Sequence, residues 1–214
     1  MAYKAYSGTC NFCNQTFAKS AMTKHLQSCG EIFGMHLFVG SPYLPEYWLH
    51  LEVDEEKTLK DLDQFLRDIW LECCGHLSAF TIEDIIYDSN PEGGWRSSRS
   101  MKVKVKEVLK SGLEFGYEYD FGSTTELSLK VISEQKSKPS GDPIKVLARN
   151  NRPEFTCASC RKPATQACTM CLEETEEGAF FCDACAEKHI CEGEGEYFLP
   201  VVNSPRLGVC AYGG

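Results

Sequence analysis

From residue 31 to residue 135 the chain alternates short apolar stretches with turn-forming residues, as an antiparallel sheet does. Met35 to Val39 and Tyr47 to Val53 carry the first two apolar runs, and Ser41-Pro42-Tyr43-Leu44-Pro45 separates them, so they read as two strands and a loop. The period then changes. Leu59, Leu62, Phe65, Leu66, Ile69 and Trp70 recur three and four residues apart, which puts them on one helical stripe facing a sheet. Thr58 stands at the N-cap with Asp61 three residues on, a capping-box start, and Gly75 is expected to end the helix. Phe80 to Tyr87 reads as another strand, followed by a turn over Asn90-Pro91-Glu92-Gly93-Gly94. Met101 to Leu109 fits a short strand or a helix equally. Phe115 to Phe121 and Glu126 to Ser133 flank Gly122-Ser123-Thr124-Thr125 as a hairpin, and Leu127, Leu129 and Val131 alternate with polar residues as a half-buried strand requires. These elements predict an α+β fold, a mostly antiparallel sheet with one main packed helix. Lys136 to Pro143 has linker composition, and Ile144 to Ala148 is expected to add an edge strand.

The chain ends follow a different logic. After residue 152 the sequence is poor in large apolar residues but reads Cys157-x2-Cys160, Cys168-x2-Cys171, Cys182-x2-Cys185 and His189-x-Cys191. Two residues between cysteines let one tight turn offer both sulfurs to one tetrahedral zinc ion. Eight ligands imply two ions. The favoured pairing is interleaved: Cys157, Cys160, Cys182 and Cys185 on one ion, Cys168, Cys171, His189 and Cys191 on the other. Spacing alone leaves a consecutive pairing open. The interleaved order resembles the cross-brace of B-box and MYND-type zinc modules, with a tighter closing pair. Metal is expected to supply much of this module's folding energy, around a small apolar patch of Phe180, Phe181 and Ile190.

At the other end, Cys10-x2-Cys13-x11-His25-x3-Cys29 resembles a C2H2-type finger with cysteine as its last ligand, a C2HC zinc finger. Phe17 and Met22 occupy its core positions, and a helix over Lys19 to Ser28 would turn His25 inward. Three zinc ions are therefore expected, held by small modules at both termini. Disulfides are the competing use of paired cysteines. The start of the sequence lacks a charged stretch followed by an apolar run, and nothing approaches the ~18 apolar residues of a membrane span, so a reducing cytoplasmic setting and metal are expected. Cys73 and Cys74 read as packing residues at a helix end, and Cys210 as a thiol outside any metal site.

The net charge of −9 is unevenly spread. Residues 31–94 hold 14 acids against 3 bases, whereas residues 1–30 hold three lysines and no acid. Arg96, Arg99, Lys102, Lys104, Lys106 and Lys110 make residues 95–110 basic, with Glu107 as the only acid. An acidic chain is a poor generic nucleic-acid binder. Only the finger and this stretch could face phosphates, and the plainer expectation for Lys102, Lys104 and Lys106 is a solvated face. The acidic helix positions Asp61, Asp63, Asp68 and Glu72 are likewise expected to be solvated.

Thr58-Leu59-x2-Leu62, Gly75-His76-Leu77-x2-Phe80 and Tyr117-x-Tyr119-Asp120-Phe121-Gly122, followed by Glu126 to Val131, resemble the plasmid pRiA4b ORF-3-like family over roughly residues 34–134. Tyr47-Trp48-Leu49 stands where the family carries tryptophan and two arginines, and Ser123-Thr124-Thr125 replaces its acidic-aromatic segment. The resemblance implies an α+β domain, mobile-element associations and no established reaction. The organisation expected is a finger over 1–30, the α+β domain over 31–135, a linker or edge strand over 136–152, and the double-zinc module with its tail over 153–214. The tail from Pro200 to Cys210 resembles tails on zinc-bearing relatives.

No catalytic constellation is evident. Asp120-Phe121-Gly122 lacks the glycine-rich loop, strand lysine and His-Arg-Asp loop of a kinase. No phosphate loop or nucleophile elbow is present. Ser97, Ser98 and Ser100 near Arg96 and Arg99 read as exposed loop rather than a recombinase centre. His76 and Asp120 are the only candidate acid–base pair; the plainer expectation is that His76 caps the helix end and Asp120 anchors the hairpin turn. The sequence thus points to a zinc-stabilised, non-enzymatic accessory protein with a protein partner and no membrane, with nucleic-acid binding through the finger and residues 95–110, or an enzyme using His76 and Asp120, as alternatives.

Overall fold

A computed structural model of the chain describes residues 6–93, 97–136, 141–174, 178–191 and 198–214. Arg96, Gly94 and residues 137–140 of the expected linker lie outside them. The chain forms two compact units, one of residues 1–68 with 76–151, the other of Ile69–Gly75 with Arg152–Gly214.

The first unit is built in chain order from β1 (Ser7–Cys10), β2 (Thr16–Ala18), α1 (Lys19–Cys29), β3 (Met35–Gly40), β4 (Trp48–Val53), α2 (Leu59–Leu66), β5 (Ser78–Ile82), β6 (Ile85–Asp88), β7 (Arg99–Ser100), α3 (Val105–Val108), β8 (Glu114–Tyr119), β9 (Thr125–Glu134) and β10 (Ile144–Asn150). Ten strands make one sheet in the order β2-β1-β10-β4-β3-β9-β8-β5-β6-β7. Among its described pairs only β6 with β7 is parallel.

Register assigns the two faces. Leu51 pairs with Leu37 and Leu49 with Val39; Val39 pairs with Leu129, Leu129 with Phe115 and Leu127 with Tyr117, and Tyr117 with Phe80. Opposed residues share a face, so these side chains form one continuous apolar surface. α2 covers it. Its stripe of Leu59, Leu62 and Leu66 is fully buried, and Asp63 accepts hydrogen bonds from Ser78 Oγ at 2.6 Å and Tyr117 Oη at 2.7 Å on that face. Thr58 and Asp61 form the expected reciprocal capping box. On the opposite face Trp48 joins Met22 and Leu26 of α1, Cys10 and Ala148 in a second core. Every residue of β4 is buried, because the strand is central and both of its faces are covered.

Four expectations need correction. The helix does not run to Gly75: α2 gives way to a π-helical turn over Arg67–Leu71, and Gly75 lies beyond it with φ of 73°. Phe80 to Tyr87 is not one strand but the β5–β6 hairpin, in which Ile82 faces Ile85 across a two-residue turn with Glu83 and Asp84 left-handed at φ 48° and 66°. β10 is no edge strand; it lies between β1 and β4, because the N-terminal strand pairs with it. Asp63 is buried rather than solvated, since it satisfies Ser78, Tyr117 and Arg67. Met101 to Leu109 resolves as a turn leading into α3.

The second unit contains β11 (Gln166–Cys168), α4 (Thr169–Glu174), β12 (Phe180–Phe181), α5 (Asp183–Ala186) and β13 (Phe198–Pro200), with β11 between the other two strands. Its apolar cluster consists mainly of cysteines with Phe181, Met170 and Phe198. Ile190 is 88% exposed and outside the expected patch, since His189 and Cys191 on either side both turn toward one cluster. Among the described residues no helix is long and apolar enough to cross a membrane.

Candidate metal centres

Tetrahedral zinc with sulfur at ~2.3 Å and nitrogen at ~2.0 Å places two sulfurs roughly 3.8 Å apart and a sulfur and nitrogen roughly 3.6 Å apart. The side chains of this protein gather at those separations. All 13 cysteines are thiols rather than disulfides. Cys10, Cys13, His25 and Cys29 form one group, Cys157, Cys160, Cys182 and Cys185 a second, and Cys168, Cys171, His189 and Cys191 a third, each with its candidate ligand atoms within 4.8 Å of one another. The two C-terminal groups fall in the interleaved order.

In the first group Cys10 Sγ and Cys29 Sγ are 3.9 Å apart, and Cys13 Sγ is 3.4 Å from His25 Nε2. Local backbone builds the turn. Cys10 N–H donates to Gln15 O at 3.0 Å, Asn14 N–H donates to Cys10 O at 2.8 Å, and Asn14 is left-handed at φ 57°. The same turn recurs at the other end. Cys157 N–H donates to Lys162 O at 2.8 Å, Arg161 N–H donates to Cys157 O at 3.0 Å, and Arg161 has φ of 63°. Two distant segments thus reach one conformation through the same Cys-x2-Cys-x spacing. α1 supplies His25 and Cys29, and Phe17 stacks on the His25 ring with centroids 3.8 Å apart. Behind the group, Gly8 lets Trp48 close in: a β-carbon there would stand 2.4 Å from the indole and 2.3 Å from Arg149 O.

In the second group Cys160 Sγ and Cys182 Sγ are 3.6 Å apart. Cys182 precedes α5 and Cys185 lies within it, so a helix start presents this pair. The third group is tighter, with 3.3 Å between Cys168 Sγ and Cys191 Sγ and 3.2 Å between His189 Nε2 and Cys191 Sγ. The single residue between its last two ligands accounts for that. Phe181 and Phe198 wall the His189 ring, with centroids 4.3 and 5.7 Å away.

Crowding polarises the thiols. Burial and neighbouring cysteines push Cys29 up to about 11 and Cys171 up to about 12. Hydrogen bonds with Cys182 and Cys160 push Cys185 up to about 12. Burial also opposes ionisation of Cys157, but the backbone N–H groups of Cys182 and Cys160 outweigh it and bring the thiol down to about 6. The Gln15 backbone N–H lowers Cys13 in the same way. Ionised together, thiols this close would repel one another, and a divalent metal among them would remove that repulsion.

A fourth group was missed by the spacing argument. Cys73, Cys74 and Cys210 also bring their sulfurs within 4.8 Å of one another. Cys73 and Cys74 lie past the π-helical turn rather than at a helix end, Cys74 is exposed, and Cys210 lies 136 residues away in sequence. His76 Nδ1 lies 3.5 Å from Asp120 Oδ1, so the candidate acid–base partners do meet. Asp120 anchors the hairpin as expected: at φ 64° its carboxylate accepts from Gly122 N–H at 3.1 Å.

In the basic stretch Lys104 and Lys106 both pair with Glu56, and Lys110 lies 2.5 Å from Glu83.

A family model described as plasmid pRiA4b ORF-3-like protein matches residues 42–173. The crystal structure of a protein of unknown function, MM3350 from Methanosarcina mazei Go1, is similar at 20% identity and a TM-score of 0.46, over 55% of this chain and 70% of that one. No curated protein matches.

Proposed function

The chain belongs to the plasmid pRiA4b ORF-3-like family, and on that premise we propose that it is a zinc-binding accessory protein whose metal ions are structural and whose work is to present a surface to a protein partner. The observation that carries this reading is ligand closure. Each of the three groups anticipated from spacing offers four donors at tetrahedral separations, with one buried thiol in each: Cys10, Cys157 and Cys168. A four-ligand site leaves zinc no open position for water or substrate, which is the mark of a structural rather than a catalytic ion. The second unit needs such help, because cysteines dominate its small core. Thiols throughout support a reducing compartment, the cytoplasm.

A protein partner is favoured over nucleic acid by the fate of the lysines. Lys104, Lys106 and Lys110 are matched to glutamates, and Lys19 of the finger donates to Pro45 O at 2.9 Å and lies over Phe38. These four lysines are thereby engaged within the protein rather than held out for phosphates. Leu77 and Phe121, 41% and 44% exposed, flank Asp120 and offer apolar surface on the first unit. The test is hydrogen exchange on the full chain with and without a chelator. Zinc removal is expected to abolish protection over residues 153–191 while the central strands β3, β4 and β9 stay protected. Unchanged protection after complete zinc removal would defeat the reading.

A further inference from the structure

We propose that Cys73, Cys74 and Cys210 bind a fourth zinc ion, one that ties the C-terminal tail to the segment following α2. The proposal rests on the zinc-binding reading above, applied to separate residues. Three thiols carry it, and all belong to the second unit. Cys74 Sγ and Cys210 Sγ are 3.7 Å apart, close to the roughly 3.8 Å of two sulfurs on one tetrahedral zinc and far beyond a disulfide bond.

Three further observations point to a cation among these thiols. The tail is held in an uncommon conformation to deliver its sulfur: Cys210 has φ of 55°, a left-handed backbone that a residue with a β-carbon adopts at a cost. Fully buried Arg206 brings Nη2 to 3.5 Å from Cys73 Sγ, a charge-assisted contact suited to a thiolate. Ser204 Oγ donates to Trp70 O at 2.6 Å, seating the same tail on the same segment. Cys74 and Cys210 are exposed, and none of the three thiols is fully buried, unlike the lead thiol of each other group. This ion is therefore the first to exchange.

The experiment is zinc content of the reduced full-length protein by elemental analysis, beside Cys210→Ser, Cys74→Ser and Cys10→Ser, with cadmium-113 NMR of the metal-exchanged forms. Wild type is expected to hold four ions and show four cadmium resonances. Cys210→Ser and Cys74→Ser each lose the same one resonance and one ion, whereas Cys10→Ser loses a different one. Three ions in wild type with no loss in Cys210→Ser would overturn the proposal and leave the other three sites standing. Fewer than three in wild type would count against those sites, and the one-ion difference between wild type and Cys210→Ser would still decide this one. A Cys74–Cys210 cross-link in protein purified without reductant, seen as a loss of two hydrogens by mass, would also overturn it. If either serine variant misfolds, the wild-type resonance count decides alone.

Discussion

His36 and His50 are an uncommon pair to find inside a sheet. Both are essentially inaccessible, their rings meet at 2.9 Å between Nε2 and Nδ1, and they face the Trp48 side of β3 and β4. Burial holds His36 down at about 4 and, with the neighbouring His36 charge, holds His50 down at about 3. Unfolded, each would titrate near 6.5. Below that pH the unfolded chain takes up protons that the folded chain refuses, so stability is complete above about pH 6.5 and is lost progressively as pH falls toward 4 and then 3. Denaturant titrations at a series of pH values should show the midpoint falling across this window, and His36→Leu with His50→Leu should flatten the part of the slope that is not metal loss. An unchanged slope would contradict it. Asp63 is the other residue whose role depends on burial. It accepts from Ser78, Tyr117 and Arg67, and burial together with its charge pushes the Tyr117 phenol well above its usual range. Asp63→Ala should cost about 3–5 kcal/mol, because it removes the buried acceptor shared by the Tyr117 phenol, the Ser78 hydroxyl and the Arg67 guanidinium; Tyr117→Phe should cost about 1–2 kcal/mol. Equal small losses in chemical unfolding would refute that ordering. Neither role was legible from periodicity: Asp63 lies beside the stripe, on a position that reads as polar face until Ser78 and Tyr117 are known to lie opposite.

Among the elements, those with strong local signals were readable. The capping box, the α2 stripe, the β8–β9 hairpin and the strands β3 and β4 all follow from period and turn chemistry. Thr58→Ala should therefore destabilise the first unit by about 1 kcal/mol, read by urea unfolding. The β5–β6 hairpin was not readable, because its turn uses Glu83 and Asp84 rather than the asparagine and glycine that left-handed positions favour. The two residues adopt φ of 48° and 66° at a cost that those two residue types would avoid. Glu83→Asn combined with Asp84→Gly should therefore stabilise the unit by about 1 kcal/mol in the same urea assay. Loss of stability would mean that the Lys110 pair or a side-chain contact outweighs backbone strain. β10 was misplaced for a different reason. Edge and interior strands have the same local pattern, and only the arrival of β1 from the N-terminus makes it interior.

For the whole molecule, the division of labour follows from what each part can bury. The first unit covers both faces of its central strands with apolar residues, and its centre is expected to fold without metal. The second unit assembles cysteines where a core would stand. The three groups predicted from spacing were legible because short intervals force ligands together, whatever the fold. The fourth was invisible because Cys74 and Cys210 meet only after the chain has travelled 136 residues, and a neighbouring cysteine pair without the two-residue gap resembles ordinary packing. The chemistry of these groups suits a divalent metal. X-ray absorption at the zinc edge of the purified, reduced full chain tests the zinc-binding reading most directly. The account predicts a four-coordinate, sulfur-dominated shell at ~2.3 Å with a minor nitrogen contribution near ~2.0 Å. A shell of oxygen and nitrogen at five or six coordination, or protein that folds with no zinc at all, would contradict it.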